Sequence, residues 1–187
     1  MLQLVYAYGK QNGEFGAGDG LPWPHIREDF LNFRKRTLGT SLIMGSNTFA
    51  SLPSKLLDRV HYVLTDRDRP GPMTKNGLCP DIPICEGNLA SILENAHKYR
   101  TEYSVIGGIA MLEKALPYAN RVVATEIVYN KAKGNKPTVF ISPALRNLHE
   151  SPEWEVTEKN VVHGDDWIII ERVLIRKMKY NESSVGV

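Results

Sequence analysis

Apolar residues fall in short runs whose period changes along the chain, and those changes mark out the elements. Residues 2–8 form a mixed apolar run of strand length, as a strand covered on both faces requires. Residues 9–20 are rich in glycine and lead into Leu21-Pro22-Trp23. Helical spacing begins near Ile26 and stops at Gly39, where glycine is the expected terminator. Residues 41–44 read as a strand, Gly45 as a tight turn, 48–52 as a short helix and 60–64 as another strand. Proline and glycine make 66–83 mostly loop, with a short strand at 82–85. Leu89, Ile92, Leu93 and Ala96 then recur at helical spacing. A strand at 103–106 enters Gly107-Gly108, followed by a helix over 110–116 and a strand over 121–128. Beyond a basic loop at 130–137, residues 154–162 and 167–175 read as antiparallel strands around a turn at 163–166.

Strands alternating with helices require right-handed crossovers, hence a mainly parallel sheet with helices on both faces. The terminal hairpin makes that sheet mixed. The expectation is an α/β fold with a mostly parallel eight-stranded sheet and an antiparallel C-terminal hairpin. One domain spans residues 1–187, with a disordered tail over about 181–187. A chain of this length buries roughly 70% of its unfolded surface, enough for a substantial core.

Composition narrows the function. Apolar residues are 42%, charged residues 24%, and the formal net charge is +2, which offers no basic stripe for nucleic acid. Cys79 and Cys85 form neither a CxxC motif nor a disulfide framework and read as reduced thiols. The start of the chain lacks the features of a signal peptide, and no apolar run reaches the roughly 18 residues that cross a bilayer. A cytoplasmic protein is expected, as monomer or homodimer. The five histidines lack ligand spacing, so no metal site is expected. Gly16-x-Gly18-x-Gly20 has the wrong spacing for a dinucleotide fingerprint, and Leu21-Pro22 rather than a helix follows it. These glycines fit a flexible loop that closes over a ligand.

The most informative segment runs from Trp23 to Phe33. With Asp29 at zero, a helical count places Phe33, Ile26, Thr37 and Phe30 near about 40°, 60°, 80° and 100°. Asp29 thus sits at the edge of the buried stripe, whereas Glu28 falls on the opposite, solvated side with Lys35. A carboxylate beside an aromatic cleft has its pKa raised by desolvation, which suits proton handling or a cationic heterocycle. It also pairs bidentately with an N–C–N edge. Leu42 to Phe49 and Ser104 to Leu112 each pass from strand through glycine to helix, where bare backbone admits phosphate. Two such turns in one sheet suggest a ligand lying across strand ends.

In their order and separations, Leu21-Pro22-Trp23 with Asp29, Ile43-Met44-Gly45 with Thr48-Phe49, Arg59, and Val105-Ile106-Gly107-Gly108 resemble dihydrofolate reductase. Thr125 and Phe140 follow in place, so the similarity covers roughly residues 1–175. The six-residue step from Trp23 to Asp29 looks like that of vertebrate and phage-encoded members, and overall the phage-encoded forms are most similar. The resemblance implies hydride transfer from NADPH to C6 of 7,8-dihydrofolate and protonation at N5, in one-carbon metabolism, with antifolates such as methotrexate as further ligands. It makes Asp29, Leu21 and Trp23 catalytic: Asp29 holds the pterin and promotes protonation through water, and Leu21 belongs to a water-excluding lid. Phe30, Phe33, Leu52 and Leu56 would line the tail channel, and Arg59 would grip a glutamate carboxylate. Val5, Ala7 and Ile106 would present backbone to the rings, and Thr125 would support Asp29 from behind.

On the cofactor side the resemblance implies Ala7, Phe15, Gly16, Gly18, Asp19, Gly20 and Leu21 from the lid. From the two turns come Gly45, Ser46, Asn47 and Thr48, then Gly107, Gly108, Ile109, Ala110, Met111 and Leu112. Thr65, Asp66 and Arg67 complete the set beside Ile106. There are departures from the family pattern. Ser46 and Ala110 replace basic residues, and Asp66 repels a 2′-phosphate unless Arg67, Arg69 or Lys75 compensates. Leu112 replaces a tyrosine, and Asp58 replaces a glycine before Arg59, where it is placed to pair with that arginine. A related reductase of ribosylated pyrimidines shares the fold but has no need of the Phe30–Phe33 helix. A non-catalytic binding protein on this scaffold is the other alternative.

Overall fold

The computed structural model describes residues 1–178; the tail expected over 181–187 lies outside them. In chain order the elements are β1 (Leu2–Gly9), β2 (Glu14–Gly16), α1 (Arg27–Thr37), β3 (Ser41–Gly45), α2 (Ser46–Ser51), β4 (Val60–Leu64), β5 (Ile82–Ile84), α3 (Glu86–Asn95) and β6 (Tyr103–Gly107). Then follow α4 (Ile109–Ala115), β7 (Arg121–Tyr129), β8 (Val139–Phe140), α5 (Pro143–Arg146), β9 (Trp154–His163) and β10 (Trp167–Arg176). The eight-stranded sheet has the order β5-β4-β3-β6-β1-β7-β10-β9. Its ladders are parallel except that β10 is antiparallel to both β7 and β9, as the terminal hairpin predicted. Among the described residues no helix is long and apolar enough to cross a membrane.

The central strand β1 is covered on both faces, as its unbroken apolar run requires. Leu2, Leu4, Tyr6 and Tyr8 enter the main core, packed with Val105, Leu112, Val122 and Leu174. Val5 points the other way, toward Val123, Val173 and Phe33. This second face carries the functional residues, because α1 lies across it. The C-terminal half of α1 is strapped down by buried polar contacts. Gln3 Nε2 donates to the Arg36 carbonyl at 2.8 Å, and Arg36 pairs with Glu171 of β10 at 2.6 Å. The helix stops where expected: Gly39 adopts φ 77°, a left-handed backbone that other residues reach only with strain.

One expectation is corrected. Residues 9–20 are not uniform loop, because β2 pairs with β8 as a separate two-stranded sheet. Buried Glu14 anchors the pairing through Lys131 at 2.9 Å, and Asn12 donates its N–H to the same carboxylate at 3.1 Å. Burial alone would raise the Glu14 carboxyl, but these donors hold it below its ordinary value. The basic loop is likewise engaged: Lys131 meets Glu14 and Lys133 meets Asp166. A three-residue strand and a two-residue strand are too short to leave a period in the sequence.

Candidate active site

The ladders assemble the floor of a cleft row by row. Val5, Val123 and Val173 form one row across β1, β7 and β10, and Ala7, Thr125 and Glu171 form the next. Above that second row lies the first turn of α1, with Asp29. Its carboxyl is pushed up to about 6, mainly by burial; the nearby Trp23 indole N–H opposes the shift, and the negative charge of Glu171 adds to it. Trp23 is buried among Ile26, Ile127 and Ile169, with its ring edge toward Tyr129 at 6.2 Å. Its indole N–H makes no hydrogen bond of regular geometry, so its effect on Asp29 is electrostatic proximity rather than a fixed bond. Thr125 is buried beside Ala7, and among the described residues no hydrogen bond joins it to Asp29. Glu28 is half-buried rather than fully solvated.

The outer cleft is apolar. Phe30 is 46% exposed and stacks on His25 at 4.7 Å, while Phe33 packs on the valine row. Leu52 and Leu56 face them from the segment before β4, against Leu42, Met44 and Phe49, with Ile106 between. Arg59 stands at the mouth: its Nη1 donates to Thr37 Oγ1 at 2.8 Å and its Nε to the Leu57 carbonyl at 3.0 Å. The expected pairing with Asp58 is absent among the described residues. Asp58 instead adopts φ 61°, so its position serves the turn.

At the carboxyl ends of β3 and β6 the connections diverge, β3 toward β4 and β6 past β1 to β7. Such a reversal opens a crevice. Met44 pairs with Gly107 there, and a Cβ on Gly45 would stand 3.9 Å from the Gly108 nitrogen. Gly107 has φ 130°, and a Cβ on it would touch Thr48 Oγ1 and Phe15. Bare backbone thus lines a gap between two helix starts, at Ser46 and Ile109, as a pyrophosphate-bearing cofactor requires. Asn47 and Ala110 are exposed at the rim, Thr48 and Ile109 partly so. Met111 and Leu112 are buried in the main core. Ser46 donates to the Leu64 carbonyl and ties α2 to β4.

Farther along, Thr65 donates its N–H to Ile84, and Asp66 accepts from the Asp68 N–H and meets Arg69 at 3.5 Å. Arg69 therefore offsets Asp66, Lys75 is engaged by Asp19 at 2.9 Å, and Arg67 makes no ion pair among the described residues. The lid arches over the gap. Ala17 and Gly20 form a bridge, Gly18 N–H donates to Thr138, Gly16 pairs with Val139, and Leu21 is 37% exposed at the cleft.

Two site features lay outside the sequence-based expectations. Glu171 carries a faint signal, an acid at an inward position of the alternating Ile169, Glu171, Val173. His61, placed 2.9 Å from Asp81 Oδ2 and accepting the Leu56 N–H, carries none, since nothing local brings these groups together.

Comparison with known proteins bears on this cleft. The profile of the family described as "Dihydrofolate reductase" matches residues 1–168. The dihydrofolate reductase of Mycoplasma pneumoniae is 30% identical over 136 residues, covering 73% of this chain and 81% of that one. The type A10 enzyme of Escherichia coli is 28% identical over 187 residues, covering 100% and 96%. The solved structure of dihydrofolate reductase from Enterococcus faecalis complexed with NADP(H) and RAB-propyl has the same fold, with a TM-score of 0.75 at 21% identity over 95% of this chain and 97% of that one. With the acid, the aromatic cleft and the paired glycine turns placed in one crevice, the chain belongs to the dihydrofolate reductase family, NADPH-dependent oxidoreductases that reduce 7,8-dihydrofolate to tetrahydrofolate.

Proposed function

We propose that the cleft between α1 and the segment before β4 performs this reduction with Asp29 as its proton-handling group, and that residues 1–187 form one catalytic domain. The observation that carries the assignment is the Asp29 carboxyl, raised to about 6 on the aromatic side of the crevice. As a carboxylate it accepts from the pterin's amino group and ring N–H together, a bidentate contact that fixes the ring. Its charge in a water-poor place favours protonation at N5, delivered by water, since the neighbouring Glu171 is held in an ion pair with Arg36. Trp23 holds the start of α1 in register. Leu21 and the β2 lid exclude bulk water, which strengthens those electrostatic contacts.

Val5, Ala7 and Ile106 present backbone beside the reacting rings, and Thr125 packs behind Asp29. Phe30, Phe33, Leu52 and Leu56 sandwich the aminobenzoyl part of the tail, and Arg59 takes a carboxylate. Gly45, Ser46, Asn47 and Thr48 with Gly107, Gly108, Ile109 and Ala110 hold the cofactor's phosphates. Phe15, Gly16, Gly18, Asp19 and Gly20 cover it. Thr65 and Arg67 serve the 2′-phosphate, with Asp66 offset by Arg69. When bound, NADPH supplies the hydride. We place the protein in the cytoplasm (a host's, if phage-encoded), where Cys79 and Cys85 stay reduced.

The test is loss of NADPH absorbance with dihydrofolate, with and without methotrexate. Inhibitor-sensitive consumption supports the assignment. Tight binding of both ligands without turnover would replace it with the non-catalytic reading.

A further inference from the structure

Residues 52–59 join α2 to β4 without helix or strand, yet they carry Leu52, Leu56 and Arg59, the tail-binding set assigned above. A segment with no ladder of its own needs other partners for its backbone. Its first half is stitched to the following loop. Lys75 N–H donates to the Leu52 carbonyl, Asn76 N–H to that of Pro53, and Asn76 Nδ2 to Ser54 Oγ. Its second half meets His61. This ring lies on the cleft face of β4, fully buried, beside Leu42 across the ladder and edge-on to Phe49 at 6.0 Å.

His61 Nε2 accepts the Leu56 N–H at 3.0 Å. On its other side Nδ1 lies 2.9 Å from Asp81 Oδ2, which also accepts the His61 backbone N–H at 2.9 Å. Asp81 Oδ1 is capped by Lys55 at 2.6 Å, and these donors hold its carboxyl down at about 2 despite its burial. Because Nε2 accepts the Leu56 N–H, the ring's hydrogen sits on Nδ1, facing the Asp81 carboxylate. Lys55, Asp81, His61 and Leu56 therefore close a ring of hydrogen bonds around the tail-binding segment.

We propose that His61 is a positioning residue for the substrate's tail: oriented by Asp81, it holds the Leu56 amide and so sets Leu56 and Arg59 against the bound acyl-glutamate. The inference rests on the reading of this cleft as a dihydrofolate site. A merely structural histidine would affect every substrate alike, whereas this one affects only substrates that use residues 52–59.

The experiment compares dihydrofolate with a dihydropterin lacking the benzoylglutamate tail. An asparagine amide nitrogen stands near Nδ1 and a glutamine amide oxygen can reach Nε2. His61→Asn thus keeps the Asp81 contact and loses Leu56, while His61→Gln does the reverse. In His61→Asn, kcat/KM for dihydrofolate falls roughly five- to tenfold, mostly through KM, the loss of one buried backbone hydrogen bond. The tail-less substrate and the KM for NADPH stay within about twofold, and His61→Gln recovers most of the loss. Equal losses on both substrates, or equal defects in the two variants, overturn the proposal. If His61→Asn does not fold, Asp81→Asn carries the same test, with the same split expected and equal losses again decisive against it. Wild-type protein that reduces both substrates equally well overturns the tail-site reading and this inference with it. Wild-type protein that prefers dihydrofolate isolates the question to His61.

Discussion

Charge on Asp29 is costly because its carboxyl is largely removed from water and faces Glu171 rather than a cation. Its folded value of about 6 lies above the ordinary 3.8, so the folded state binds this proton more tightly than the unfolded state. The stability this confers is complete below about pH 4 and is lost as pH rises through about 6. Asp29→Asn, which is never charged, should therefore be more stable than wild type at pH 7 by roughly 2–3 kcal/mol, with the gain vanishing below about pH 4. Urea unfolding at the two pH values reads this directly, and an Asn variant less stable at pH 7 would contradict the burial account. The same substitution should lower turnover at neutral pH by about 10²–10³-fold, a stability gain exchanged for function. Because the reaction takes up a proton, the wild-type hydride-transfer rate should decline above about pH 6, and Asp29→Asn should flatten that dependence.

At the scale of elements, α1 aims Asp29 only if both its ends are held. Trp23 and Ile26 bury the approach to the helix, and Gln3, Arg36 and Glu171 hold its end. Both charged partners are almost fully covered, so removing one strands the other. Arg36→Met should cost about 3 kcal/mol or more in urea unfolding and should move the pH profile of turnover upward, because an unpaired Glu171 raises Asp29 further. A profile that stays in place would show that Glu171 does not act on Asp29. The last turn of α1 also receives Arg59 through Thr37 Oγ1. Thr37→Val keeps the shape and removes the acceptor, and a several-fold rise in KM for dihydrofolate is expected with the KM for NADPH unchanged.

At the scale of the molecule, the strand order brings two glycine turns, 62 positions apart by residue number (45 and 107), to one crevice. The cationic partners for a 2′-phosphate are then few. Lys75 is engaged by Asp19 in the lid, and Arg69 by Asp66, which leaves Arg67. Arg67→Ala should raise the KM for NADPH about tenfold, should leave that for NADH unchanged, and should weaken the dependence of NADPH binding on salt. Asp66→Ala should act oppositely, tightening NADPH severalfold by releasing Arg69. Fluorescence titration with both cofactors checks each, and equal effects on NADPH and NADH would remove these residues from phosphate recognition.

The fold class was legible because helices and strands announce themselves by period, and periods are local. The eight strands of the main sheet, the terminal hairpin, the stop at Gly39 and the place of Asp29 on the inner edge of α1 all follow from spacing within a few residues. Partnership does not. The β2–β8 pair, the turn of Asp58, the burial of Met111 and Leu112, and the engagement of the basic loop by Glu14 and Asp166 depend on residues distant in the chain. So does the ring of Lys55, Asp81, His61 and Leu56, whose members share no period and meet only because β4 and β5 lie side by side. By itself the sequence determined which segments form elements and which side of α1 faces the cleft, since backbone period and apolar spacing decide both. Only the tertiary structure decided which charges meet, which side chains are covered and what holds the irregular segments, since burial and ion pairing depend on neighbours that the chain's order does not name.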